Sequence, residues 1–348
     1  MNVRARLKDL VALPSTEHDD PGPILAYVSA AGRDLGARVT PVPNGARPAV
    51  LLSWGKPRLL FSGHLDTVPM AGPWKSRSGA ITGGRMYGRG TTDMKAGCAA
   101  MLVAAERGRS VGDFGILYTT DEETHMHGAE AAVARGLLAA TTFVVVGEPT
   151  SLRPNLGQKG ILQVTITTRG KSGHASMPWS GTNAIARMGR LLAALRPFDG
   201  ATRRRAATLT ASPDVIEGGV AMNVIAERCT LSLDVRYSPR LDEAKTRARL
   251  EGALKKSEVP YTLEVVHRLP PVASRPTAEI RRLKALTRQP FGFCDFGTEA
   301  ACFAPLGASF LVLGPGEPHH CHITDESVEL AQVERAVTLY EAALTTRS

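Results

Sequence analysis

Residues 57–68, PRLLFSGHLDTV, begin as an apolar run of the kind that forms a buried strand. They end on His64 and Asp66, two residues apart and therefore on one side of an extended chain. Alone, such a pair reads as a structural hydrogen-bonding pair. Its neighbours change that reading. RPAVLLSW (47–54), FGILYTTDEE (114–123), TTFVVVGEPT (141–150) and ASFLVLGPG (308–316) are further short apolar runs bounded by Gly or Pro. Between them stand helical patterns such as DMKAGCAAMLVAAERG (93–108). The alternation predicts an α/β fold with helices on the faces of a sheet. In such sheets ligands bind beyond the strand ends.

Five strand ends or adjoining loops carry imidazole or carboxylate. They hold His64, Asp93 in GRGTTDMKAG, the Asp121-Glu122-Glu123 run, Glu148, and His322 in GPGEPHHCHITDE. Carboxylates gathered in one dry pocket repel one another, and a divalent cation removes that penalty. Two imidazoles and three carboxylates without a thiolate suit Zn²⁺, and also Co²⁺ or Mn²⁺. Five donors exceed what one structural zinc takes, so the set suits two ions sharing a carboxylate. One further carboxylate is then left to act as general base, and the Glu122-Glu123 pair offers both a ligand and a base if the chain bends there.

The middle of the chain has another texture. ILQVTITTRG, RCTLSLDVRY and YTLEVVHR alternate apolar and polar residues as half-solvated strands do. With the ATLTASPDVIEGG segment and helices at 182–197 and 241–256, they predict the order β-α-β-β-α-β, which is ferredoxin-like. The expected domains are 160–267 as an insertion, and 1–159 with 268–348 as the body.

HLDTVP, GRGTTDMKAG, DEE, GEPTS and GPG…HxxDE, in that order, resemble the dinuclear-zinc aminoacylase and carboxypeptidase family. The resemblance implies a zinc-peptidase-like catalytic domain with a mixed sheet, plus a lid and dimerisation domain. It implies one zinc on His64, Glu148 and bridging Asp93, and a second on Glu123, His322 and the same Asp93, with Co²⁺ as a substitute. It implies Glu122 as general base, and Asp66 as acceptor of a hydrogen bond from the His64 ring. His174, in GKSGHASMP, matches a lid histidine that stabilises an oxyanion in the partner subunit's site. Asn223 and Arg236 match positions that bind a substrate carboxylate, and Thr298 stands in GTEA as a further substrate contact.

That GTEA element, with GEPTSLRP and QKG, is more similar to acetylornithine deacetylases than to succinyl-diaminopimelate desuccinylases. The expected reaction is hydrolysis of an N-acyl amino acid, first N²-acetylornithine. Acetylcitrulline, acetyl-lysine, succinyl-diaminopimelate and dipeptides are alternatives, as is an inactive member that only binds. His319, His320 and Cys321 crowd the loop of His322, where consecutive side chains cannot all converge on one ion.

Other classes find less support. The net charge of +9 is scattered, and its one tight cluster, Arg203-Arg204-Arg205, has no aromatic stacking motif beside it, so no nucleic-acid partner is expected. No apolar run reaches membrane-spanning length, and the charged N-terminus reads as an amphipathic helix rather than a secretory signal. Five cysteines without a CxxC pair fit a reducing compartment, so the expected location is the cytoplasm. Gly170-Lys171-Ser172 lacks the earlier glycine of a P-loop, and neither HExxH nor GxSxG occurs.

Overall fold

The computed structural model describes residues 2–108, 110–198 and 208–345. The arginine cluster at 203–205 lies outside the described residues. Strands β1 (Arg38–Val42), β2 (Ala49–Trp54), β3 (Leu59–His64), β4 (Ile81–Thr82), β5 (Arg85–Tyr87), β6 (Phe114–Thr119), β7 (Phe143–Val146) and β8 (Asn155–Gln158) occur in the first part of the chain. They are joined by α1 (Val3–Ala12), α2 (Gly22–Asp34), α3 (Ala96–Gly108) and α4 (His127–Ala134). Next come β9 (Gly160–Arg169), α5 (Ala184–Leu195), β10 (Leu209–Gly218), β11 (Arg228–Tyr237), α6 (Glu243–Lys255) and β12 (Thr262–Leu269). The chain closes with β13 (Val272–Ala273), α7 (Ala278–Thr287), β14 (Gly292–Cys294), β15 (Ser309–Val312), β16 (Ser327–Glu329) and α8 (Leu330–Leu344).

Two compact units result: residues 1–157, 273–294 and 298–348, and residues 158–272 with 295–297. The first unit is built on a mixed sheet in the order β1-β2-β6-β3-β7-β15-β8-β13, with β14 on β8. Its central strands β6, β3, β7 and β15 run parallel, while β2 is antiparallel to β6. Those four strands are buried along almost their whole length, which is why they read as continuous apolar runs. Helices α1, α3 and α8 cover the sheet in one core with Phe61, Met101, Leu311 and Tyr340. Phe61 is fully buried, its ring 5.3 Å from that of Tyr340, a burial worth about 2–3 kcal/mol. Helix α3 is buried from Ala96 to Ala105, so its Ala-rich sequence serves close approach rather than an amphipathic surface.

The expected helix from 93 starts later. Thr91–Lys95 form an irregular turn in which Asp93 is extended (φ −117°, ψ 100°), and regular helix begins at Ala96. Gly90 precedes it with φ +80°, a conformation that favours glycine. The shared carboxylate thus projects from a turn, not from a helix face.

The second unit carries the order β9-α5-β10-β11-α6-β12 in an antiparallel sheet arranged β10-β11-β9-β12, the ferredoxin-like topology. Asn183 and Asp242 cap α5 and α6 through their side chains. Leu162, Val164, Met188, Leu191, Leu233 and Leu250 form a core of its own. Strand β10 lies at the sheet edge, and its residues Glu217 and Gly218, like Val215 and Ile216 before them, are exposed. Among the described residues, no helix is long and apolar enough to cross a membrane.

Candidate metal centre

The C-terminal ends of the parallel strands gather the donors. His64 is the last residue of β3 and is buried. Its Nε2 lies 3.1 Å from Asp93 Oδ1, 3.7 Å from Glu148 Oε1 and 4.0 Å from Glu122 Oε2. The other Asp93 oxygen, Oδ2, lies 3.2 Å from His322 Nε2, which is 3.1 Å from Glu123 Oε1. One carboxylate therefore stands between two imidazoles, with one oxygen toward each. Ligand atoms of His64, Asp93 and Glu123, and again of His64, Glu122 and Glu148, fall within 4.8 Å of one another. A set of imidazoles and carboxylates without a thiolate, converging this tightly, fits borderline divalent cations.

Local structure explains how adjacent glutamates both face inward. After β6 the chain turns on Asp121, whose carbonyl accepts from the N–H groups of His125 and Met126. The Asp121 carboxylate accepts from the Gly128 N–H at 3.0 Å and from Asn44 Nδ2 at 2.9 Å. A Cβ at Gly128 would press on that carboxylate. Asp121 is thus a turn former, and the bend directs Glu122 and Glu123 together into the pocket. His125 and His127 are exposed and stack on each other at 5.1 Å.

Burial and charge leave the donors far from ordinary titration. Burial raises the Glu122 and Glu148 carboxyls well above the usual range, and neighbouring carboxylates add to the effect. Burial works the same way on Asp93, but hydrogen bonds from His322 and His64 outweigh it and hold that carboxyl well below its usual value. His322 is pushed up to about 10, chiefly by Asp93 and Glu123.

Asp66, Thr298 and Arg236 each have neighbours of their own. The His64 Nδ1 has its closest contact with the backbone carbonyl of Asp66, at 3.0 Å, while the Asp66 carboxylate stands at 3.5 Å. The other Asp66 oxygen, Oδ2, accepts from the Glu123 N–H at 3.0 Å. Thr298 is fully buried, and its hydroxyl accepts from the Ala300 N–H at 3.1 Å, capping a short helical turn. The Arg236 fork donates to Asp234, two residues away on the same face of β11, at 2.6 and 3.0 Å.

His174 and Asn223 are both exposed and sit on paired loops of the second unit, where the Ala175 N–H donates to the Asn223 carbonyl. The His174 Nδ1 accepts from the Ser176 N–H at 3.2 Å, which leaves the ring proton on Nε2. The crowding around His322 also resolves. His320 Nδ1 accepts from Arg85 at 2.7 Å, and Arg85 further ties Glu317 and the Ser327 carbonyl. His322 alone of the three histidines meets the carboxylates.

Sequence reasoning missed four buried groups behind the centre. Glu326 and Arg89 form an ion pair at 2.6 Å. Glu299 accepts from the Ser62 hydroxyl at 2.6 Å and lies beneath the strand that bears His64. Lys95 donates to the Leu13 carbonyl at 2.9 Å, anchoring the Asp93 turn to the end of α1, and burial lowers its pKa to about 8. All four lie inside the quoted motifs, Arg89 and Lys95 in GRGTTDMKAG, Glu299 in GTEA and Glu326 in HxxDE, but no role was read for them there.

Comparison with known proteins bears on the same residues. An acetylornithine deacetylase of Myxococcus xanthus is 30% identical over 98% of this chain and 96% of its own length. A succinyl-diaminopimelate desuccinylase of Gluconacetobacter diazotrophicus is 35% identical over 66% of each chain. Among solved structures, a tripeptidase from Staphylococcus aureus superposes with a TM-score of 0.81 at 19% identity, covering 99% of this chain and 98% of its own. That likeness carries the mixed-sheet α/β fold. Residues 60–346 match the model of peptidase family M20/M25/M40, which spans every donor described above. With most of its length matched and relatives near one-third identity, the chain belongs to peptidase family M20/M25/M40.

Proposed function

We propose that this chain is a metal-dependent hydrolase of the amide bond of N-acyl amino acids, with N²-acetylornithine as its substrate. The observation that carries the reading is the Asp93 carboxylate held between His64 and His322, with Glu122 beside it. His64, Glu148 and Asp93 would hold one Zn²⁺, and Glu123, His322 and Asp93 the other. Two such ions supply polarisation of the amide carbonyl and a water that ionises near neutral pH.

The chain's own groups then do the following. Glu122 takes a proton from the attacking water and returns it to the leaving amine nitrogen. His174, with its proton on Nε2, donates to the developing oxyanion. Arg236 and Asn223 bind the substrate carboxylate, which must displace Asp234 from the arginine fork. His174 acts on the site of a neighbouring protomer, so the working unit is a homodimer. The edge of β10, unpaired among the described residues and with exposed Val215 and Ile216, supports association with a second copy. We place the protein in the cytoplasm.

The relatives named for acetylornithine and for succinyl-diaminopimelate leave acyl group and amino acid as the open variables. The test is a substrate panel on chelated protein, reloaded with Zn²⁺ or Co²⁺. It contains N²-acetylornithine, N-acetylcitrulline, N-acetyl-lysine, N-succinyl-diaminopimelate and a dipeptide. The highest kcat/KM is expected on N²-acetylornithine. A higher value on the succinylated substrate or the dipeptide refutes the substrate assignment, and turnover indifferent to metal refutes the mechanism.

A further inference from the structure

Glu326 has no solvent exposure, yet it bears a carboxylate four residues after His322. Its Oε1 accepts from two consecutive backbone N–H groups, Thr92 at 2.8 Å and Asp93 at 3.1 Å. Its Oε2 accepts from Arg89 Nη1 at 2.6 Å. Arg89 is itself buried, donates to the Pro69 carbonyl at 3.3 Å and lies over the Trp74 ring at 5.4 Å. The backbone repeats the tie: the Gly88 N–H donates to the Glu326 carbonyl, and the Thr92 hydroxyl to the Ser327 carbonyl at 2.9 Å.

One oxygen holding two successive amides fixes the orientation of the peptide plane that leads into Asp93. That residue is extended, within a turn that no regular helix stabilises. Its side chain nevertheless has to place one oxygen toward His64 and the other toward His322. An ionised acceptor forms shorter and stronger hydrogen bonds than a neutral one, and a buried carboxylate persists only with a partner such as Arg89.

We infer that Glu326, held by Arg89, is the positioning residue for Asp93, so that the loop supplying His322 also aims the carboxylate shared by the two ions. The inference rests on the metal-centre reading above and extends it to residues that touch neither ion nor substrate. Partners of metal ligands typically change metal affinity 10–100-fold when altered.

The test uses the full chain stripped by chelation and titrated with Co²⁺, followed by calorimetry and by the visible absorption of bound Co²⁺. Glu326→Gln keeps the shape but removes the charge. It is expected to weaken Co²⁺ binding by about 10–100-fold and to alter the absorption bands, with the far-UV spectrum of the stripped protein unchanged. Wild-type affinity and bands in a folded Glu326→Gln protein overturn the inference, even if its melting temperature falls, because that is a purely structural role. Should Glu326→Gln not fold, Arg89→Lys decides: it keeps charge but loses the fork, and about tenfold weaker binding is expected. Wild-type affinity there overturns the inference equally. If the wild-type chain takes up no Co²⁺ at all, the metal-centre reading fails and this inference falls with it. Binding in the wild type without loss in the variants refutes only the role of Glu326.

Discussion

Replacing Glu299 by Gln should make the metal-free protein more stable in alkaline than in acidic solution, relative to wild type. Glu299 is almost wholly buried, hydrogen-bonded by Ser62, and burial raises its pKa from 4.5 to about 7. A carboxyl whose folded-state pKa is raised binds its proton more tightly in the folded chain than in the unfolded one. Its contribution to stability is therefore fully present below about pH 4.5 and is lost as pH rises through about 7. At roughly 1.4 kcal/mol per pH unit, the gap between those values amounts to about 3 kcal/mol. Gln has nearly the same shape and no proton to lose, so this loss disappears. The assay is calorimetric melting of chelated wild type and Glu299→Gln between pH 4.5 and 8. Chelation matters because bound cations would draw the carboxyl toward ionisation. The variant should gain on the wild type progressively between pH 5 and 8, by up to about 3 kcal/mol. Parallel pH profiles for the two proteins would refute the reasoning and show that Glu299 does not titrate in this range.

Other predictions concern turnover. Glu122→Gln should lower kcat by about 10²–10⁴-fold while equilibrium dialysis still finds bound metal; retained activity would remove Glu122 as the base. His174→Ala should lower kcat by about 10²–10³-fold with little change in KM, read from initial rates on N²-acetylornithine. Asp234→Asn, which loosens the grip on the Arg236 fork, should lower KM for carboxylate-bearing substrates and leave amides without a free carboxylate unaffected. An unchanged KM would separate Arg236 from substrate binding.

Much of the fold is legible from local pattern. The buried parallel strands announce themselves because burial on both faces demands continuous apolar side chains. Strand β11 announces itself because one-sided burial demands alternation. The motif resemblance and the family model lead to the same family. Helices α2 and α4 and the short strands β4 and β5 did not stand out, since short or weakly patterned elements form where neighbours hold them rather than where propensity asks for them.

His64, Asp93, Glu122, Glu123, Glu148 and His322 stood out in the sequence because an α/β sheet delivers its strand ends and adjoining loops to one edge. The sequence by itself determined which chemical groups would be present there and roughly where the chain turns. Only the tertiary structure decided how they are aimed. The Asp93 amide meets Glu326 across 233 residues, and Ser62 meets Glu299 across 237. It also decided that Asp66 stands beside both the His64 ring and the Glu123 amide, and that Thr298 caps a turn. A hydrogen bond depends on position and angle to within tenths of an ångström, and no local pattern of residue types encodes the path that brings two distant segments to that distance.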